Sequence, residues 1–226
     1  MERFFVGVAR LNSVLLLLLL VGGLAGLFLV WSDSRGSSRP TVTVQEGPNA
    51  QTKEFTFNQV EQVQGSAIQL VQLVTDRERG KIASGGYRYD SVNLLFVHDD
   101  GKSHWLFQSN AQRILRVKQL RAKNADDTVP TRAIYLEYVN SDSDQDGVLS
   151  EADVRQLAVT AVDGSQLKLV LQNVGQVLSV DMLGADTLTV LYQKATTVRQ
   201  ARFSLQQMML QSDVQIAELP TTPNAS

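Results

Sequence analysis

Apolar and polar positions follow two different rhythms along this chain. Residues 14–31 run from Val14 to Trp31 without a charged or strongly polar side chain, and the block 15–20 leaves no polar face. As a helix rising about 1.5 Å per residue, these 18 residues span roughly 27 Å, close to the hydrocarbon thickness of a bilayer. The pattern predicts one membrane-spanning helix. A cleaved export signal ends its shorter apolar core at small residues. Gly23-Leu-Ala25 imitates such a site, but Leu27-Phe-Leu-Val-Trp31 carries the run past it, which favours a retained anchor. Trp31 suits the far interface. Arg3 and Arg10 precede the span and Arg35 and Arg39 follow it, so the charge bias is small. The short amino-terminal side is expected to stay cytoplasmic, with the long remainder outside.

Residues 32–51 are rich in Ser, Gly, Pro, Asn and Gln and read as a tether. From 52 to 210 the rhythm shortens to runs of β-branched and aromatic residues between turn signals. In 132–139, Arg-Ala-Ile-Tyr-Leu-Glu-Tyr-Val, apolar side chains fall at alternating positions. Similar strands are expected over 93–97, 104–108, 114–117, 157–162, 167–171, 177–182 and 187–193, with fragments at 54–58, 67–75 and 198–205. The expected fold class is mainly β, an antiparallel meander or sandwich or propeller-like blades, preceded by one transmembrane helix. Residues 211–226 end in Leu-Pro-Thr-Thr-Pro-Asn-Ala-Ser and are expected to fray.

The β region repeats itself. Asp100-Gly101 and Asp163-Gly164 lie 63 residues apart (163 − 100), and the same offset aligns Leu106 with Leu169, Asn110 with Asn173, Leu115 with Leu178 and Leu120 with Leu183. Asp-Gly between apolar runs signals a hairpin, because Gly accepts the positive φ of the turn. Each copy reads strand, Asp-Gly turn, strand, short connection, strand, followed by a fourth strand.

At the junction of the copies lies Asp142-Ser-Asp144-Gln-Asp146-Gly147-Val148-Leu149-Ser150-Glu-Ala-Asp153. Carboxylates occupy loop positions 1, 3, 5 and 12, Ser150 position 9, and Val148 supplies a backbone carbonyl at position 7. A hard cation takes six to eight oxygens, and Gly at position 6 permits the sharp turn that converges them. The predicted metal ligands are therefore Asp142, Asp144, Asp146, Val148, Ser150 and Asp153, with Ca²⁺ as the ion. An acidic turn without an ion is the alternative, since Asp and Gly also favour ordinary turns.

These twelve residues resemble the EF-hand calcium loop, with Asp153 where that pattern has a bidentate Glu. The shorter side chain implies weaker binding or fewer oxygens around the ion. The flanks read as strands, apart from one possible helical turn over 151–156, so a structural calcium site is expected rather than a helical switch. Four antiparallel strands per copy also give 92–205 a loose resemblance to the β-propeller blades of TolB-like periplasmic proteins, which implies a binding scaffold. Two copies cannot close a ring of four to eight blades, so an open meander or a sandwich is more economical.

Composition removes several classes of function. The chain has no cysteine, which excludes structural disulfides, thiolate metal sites and cysteine nucleophiles. Net charge is −2, with no basic field for nucleic acid. The two histidines, His98 and His104, flank 99–103; a two-residue turn at Asp100-Gly101 would put their rings on opposite faces of the hairpin. No Gly-x-Ser-x-Gly elbow, His-Glu-x-x-His motif or Walker loop is present. The reading is a single-pass protein of a bacterial inner membrane with a periplasmic calcium-binding β-domain, serving as a binding or assembly module with protein partners outside the cytoplasm. A hydrolase using the acidic cluster is the alternative.

Overall fold

The computed structural model describes residues 41–44, 53–76, 89–122 and 129–220. The expected span 14–31 lies outside them, as does most of the tether. Among the described residues no helix is long and apolar enough to cross a membrane.

Thirteen strands, each paired antiparallel to its neighbours, form two sheets among the described residues. The first holds β1 (Thr41–Val44), β2 (Lys53–Gln62), β3 (Gln69–Asp76), β4 (Tyr89–Val97), β5 (Ser103–Trp105), β6 (Arg113–Leu120), β7 (Ala133–Val139), β8 (Arg155–Thr160) and β9 (Lys168–Val174). Its order is β1-β2-β3-β4-β6-β7-β8-β9, with β5 paired to β4. The second is β10 (Gln176–Leu183), β11 (Thr187–Lys194), β12 (Thr197–Ser204) and β13 (Met209–Glu218), in chain order. The expected mainly β, antiparallel character is therefore present.

β7 and β8 carry core on both faces. Facing alternates along a strand, so Ala133 and Tyr135 join Leu157 and Val159 in one cluster, while Ile134 and Leu136 join Ala158 in another. The first cluster continues into the second sheet through Val190, Tyr192 and Phe203; the second holds Leu70, Leu94 and Phe96. Each large side chain fully buried here contributes about 1.5–3 kcal/mol. β11 alternates buried and half-buried positions, as a strand covered on one face should.

The two Asp-Gly turns are built alike. His98 N donates to Lys102 O (2.8 Å) and Gly101 N to His98 O (3.1 Å); Ala161 N donates to Ser165 O (2.9 Å) and Gly164 N to Ala161 O (2.9 Å). The aspartates cap them equivalently, Asp100 Oδ1 accepting from Lys102 N and Asp163 Oδ1 from Ser165 N. Gly101 and Gly164 stand at φ 80° and 82°. These are three-residue turns with a left-handed glycine, not two-residue turns. The 63-residue offset also carries β6 (113 + 63 = 176, 120 + 63 = 183) onto β10. There the likeness ends, because β6 stays in the first sheet and β10 opens the second.

Several boundaries differ from expectation. Thr41–Val44, within the expected tether, pairs with β2 from Thr41↔Thr56 to Val44↔Lys53. Residues 211–218, within the expected frayed tail, belong to β13, which pairs with β12 from Thr197↔Glu218 to Ser204↔Met209. Each pairs with the strand next to it in sequence, and local composition does not reveal that pairing. The strand expected over 104–108 stops at Trp105. Leu106 N still reaches Leu94 O (2.9 Å). The Asn93 amide then takes the next rung, its Oδ1 accepting from Phe107 N (3.1 Å) and its Nδ2 donating to Phe107 O (3.0 Å). A side chain thus replaces the ladder, and the chain turns away.

Candidate metal centre

The acidic loop joins the neighbouring strands β7 and β8, whose pairing runs from Ile134↔Thr160 to Tyr138↔Gln156. The strand flanks expected from the sequence are therefore present. Residues 151–153 form a turn and no helix follows, because β8 begins at Arg155.

The loop is folded by its own carboxylates. Asp142 Oδ2 accepts from Gly147 N (2.8 Å) and Asp142 Oδ1 from Asp146 N (3.2 Å). Asp144 Oδ1 lies 3.3 Å from Asp146 N, and Asp146 Oδ1 accepts from Val148 N (2.8 Å). Left-handed conformations at Gln145 (φ 63°) and Gly147 (φ 83°) make the reversal. One carboxylate oxygen from each of Asp142, Asp144 and Asp146 falls within 4.8 Å of the others.

The other predicted ligands stand differently. Asp153 is buried and serves as a latch across the loop. Its Oδ1 accepts from Ser143 N (2.5 Å), Ser143 Oγ (3.0 Å) and more distantly Asp144 N (3.4 Å), and its Oδ2 from Ser150 N (2.8 Å). Ser150 Oγ accepts from Ala152 N (3.1 Å), and the Val148 side chain is exposed. Outside the loop, Arg113 donates to Leu149 O (2.8 Å) and pairs with Asp90 (2.9 Å), which ties the loop to β6 and β4.

The electrostatics split the carboxylates. The Ser150 amide, followed by the Ser143 donors, holds Asp153 below its ordinary pKa despite desolvation. At Asp144 the Asp146 amide pulls the same way, but desolvation and the neighbouring Asp142, Asp146 and Asp153 outweigh it, so its pKa is raised. That crowding of like charge is what a bound cation relieves.

At the mouth of the loop, buried Glu137 on β7 meets Arg155 (3.2 Å) and Arg116 (3.1 Å). Next to it, desolvation and then the Glu137 charge push the Tyr135 hydroxyl far up. Residue spacing did not single out this ion pair, because it is a cross-strand arrangement.

The histidines correct the sequence reading. With Val97 opposite Ser103 and Phe96 opposite His104, the three-residue turn puts His98 and His104 on one face. Their rings are 5.9 Å apart, and His104 stacks on Phe96 at 5.5 Å. They join no group of three metal-ligating side chains among the described residues.

No family model matches this chain, and no curated protein matches it. Among solved structures it is similar to a luciferin-regenerating enzyme, with a TM-score of 0.36 and 8% identity over 80% of this chain. The chain spans about 62% of the length of that enzyme. A likeness this distant carries no argument about fold or chemistry.

Proposed function

We propose that this protein is a membrane-anchored β-domain outside the cytoplasm that binds one Ca²⁺ in its 142–153 loop, and that the ion braces the β7–β8 junction. The observation that carries the reading is the convergence of the Asp142, Asp144 and Asp146 carboxylates within 4.8 Å. Those three and the Val148 carbonyl would supply protein oxygens, with Ser150 at the ninth position acting directly or through water. Asp153 already accepts from the Ser143 and Ser150 amides, which leaves it less free to turn toward an ion and fits modest affinity. With strands on either side of the loop, the site suits bracing better than the opening motion of a helical sensor. The open meander is favoured over blades, because the first sheet runs nine strands where a propeller blade has four.

Thermal melting of the full chain in Ca²⁺ against EDTA tests the proposal. At about 100 times Kd, Ca²⁺ stabilises a single-site protein by about 2.7 kcal/mol. For a domain of this size that raises Tm by about 5–11 °C. Asp142→Asn with Asp146→Asn should remove the rise. No rise in Tm and no heat of binding at millimolar Ca²⁺ would end the idea. Under the hydrolase alternative the same double variant would keep its fold and lose turnover.

A further inference from the structure

On the sheet face away from Phe96, the row Phe57↔Leu73↔Asn93 crosses β2, β3 and β4, and Leu95↔Trp105 extends that face to β5. Above the row lies a cavity of about 270 Å³ walled by Phe55, Phe57, Trp105 and Phe107. Phe57 and Trp105 lie nearly parallel, 12° apart with ring centroids at 6.2 Å, and Trp105 remains 42% exposed. Among the described residues the polar lining is all amide: Asn93, Gln108 and Asn110.

Those amides do different work. Asn93 is spent on structure: its Nδ2 donates to Phe107 O and Asn110 Oδ1, and its Oδ1 accepts from Leu94 N and Phe107 N. It holds the 107–110 segment in place as the cavity wall. Among the described residues the Asn110 Nδ2 donors, the Gln108 amide and the Trp105 indole N–H make no hydrogen bond.

We infer that this cavity binds a neutral saccharide. Ligand pockets typically run about 300–1,000 Å³; at about 270 Å³ this one lies just under that range and suits a single ring, with the rest of a longer ligand outside it. Among the described residues no ionisable side chain lines the cavity, so a charged ligand would shed its water and find no counter-charge there. A purely apolar ligand would dewet the free amides and leave them unpaired. A pyranose meets both requirements. Its C–H face carries slight positive charge and lies on the negative face of an aromatic ring, and its hydroxyls donate and accept, as amides do.

The test uses the full chain carrying Trp31→Phe, so that Trp105 is the sole tryptophan and can be excited selectively, in a detergent without a sugar headgroup. The probes are maltotriose, cellotriose and tri-N-acetylchitotriose, with sialyllactose and a proline-rich peptide as competing classes. The expected result is a saturable change in Trp105 emission with at least one neutral probe. Asn110→Asp keeps the acceptor used by Asn93 while removing the free donors, and Phe57→Leu keeps an apolar side chain while removing the ring face. Each should weaken binding about tenfold. Silence of all three neutral probes in the millimolar range overturns the inference. So does a response to the charged or proline-rich probe alone, or binding that both cavity variants leave unchanged.

Discussion

Gly164→Ala is the sharpest test of the packing between the two Asp-Gly hairpins. Gly164 stands at φ 82°, where a side chain costs about 1–2 kcal/mol. An added Cβ would also strike three atoms of the Phe96 ring at once, Cγ and Cε2 at 2.6 Å and Cδ2 closer still. Phe96 is fully buried, so the ring has nowhere to move without disturbing its cluster, and overpacking of this kind costs about 1–3 kcal/mol. The sum is about 2–5 kcal/mol, or a fall in Tm of about 4–20 °C. Gly101→Ala is the internal control: its turn has the same hydrogen bonds and φ 80°, but nothing lies within 4 Å of the added Cβ. It should show the strain alone. Urea denaturation followed by far-UV circular dichroism measures both, and Phe96→Leu should narrow the gap between them. Equal losses in the two glycine variants, within about 0.5 kcal/mol, would refute the claim that Gly164 is held by contact with Phe96.

Two further outcomes follow from the charged groups. Glu137→Gln leaves the partly buried Arg155 facing an uncharged amide; removing one partner of a buried pair costs about 3–5 kcal/mol, and the half-exposed Arg116 places the loss near the low end, read as a lower urea midpoint at unchanged m. Asp163 is desolvated, which raises its pKa, but hydrogen bonds from Ser165 win and hold it below the ordinary 3.8. Its ionised form is thus favoured in the native state. The stability this brings is complete above the ordinary carboxylate pKa and is lost as pH falls through the lower native value. Asp163→Asn should accordingly flatten the decline in stability between about pH 2 and 5, measured as urea midpoints across that range.

The local chemistry of this protein was legible from its residues alone. An acidic loop between two strands, Asp-Gly hairpins with left-handed glycines, and the strand starting at Thr187 all follow from spacing and turn preference within a few residues. Properties that depend on register were not legible. Adding one residue to the turn at Asp99-Asp100-Gly101 moved His98 onto the face of His104. Thr41–Val44 and Met209–Glu218 became strands because the adjacent strands β2 and β12 complete their hydrogen bonds. The aromatic cavity exists because Phe57, Asn93 and Trp105 come from three strands that meet only in the folded sheet.

By itself, then, the sequence determined the β character, the turns and the carboxylate spacing of the 142–153 loop, since each depends on φ preference and period-two alternation. Only the tertiary structure decided that Asp153 closes the loop through backbone amides and stands apart from the Asp142, Asp144 and Asp146 oxygens. It also decided that β7 is buried on both faces, and that the chain changes sheets between β9 and β10. These outcomes rest on long-range pairing and on competition for buried donors, which no short stretch of chain encodes.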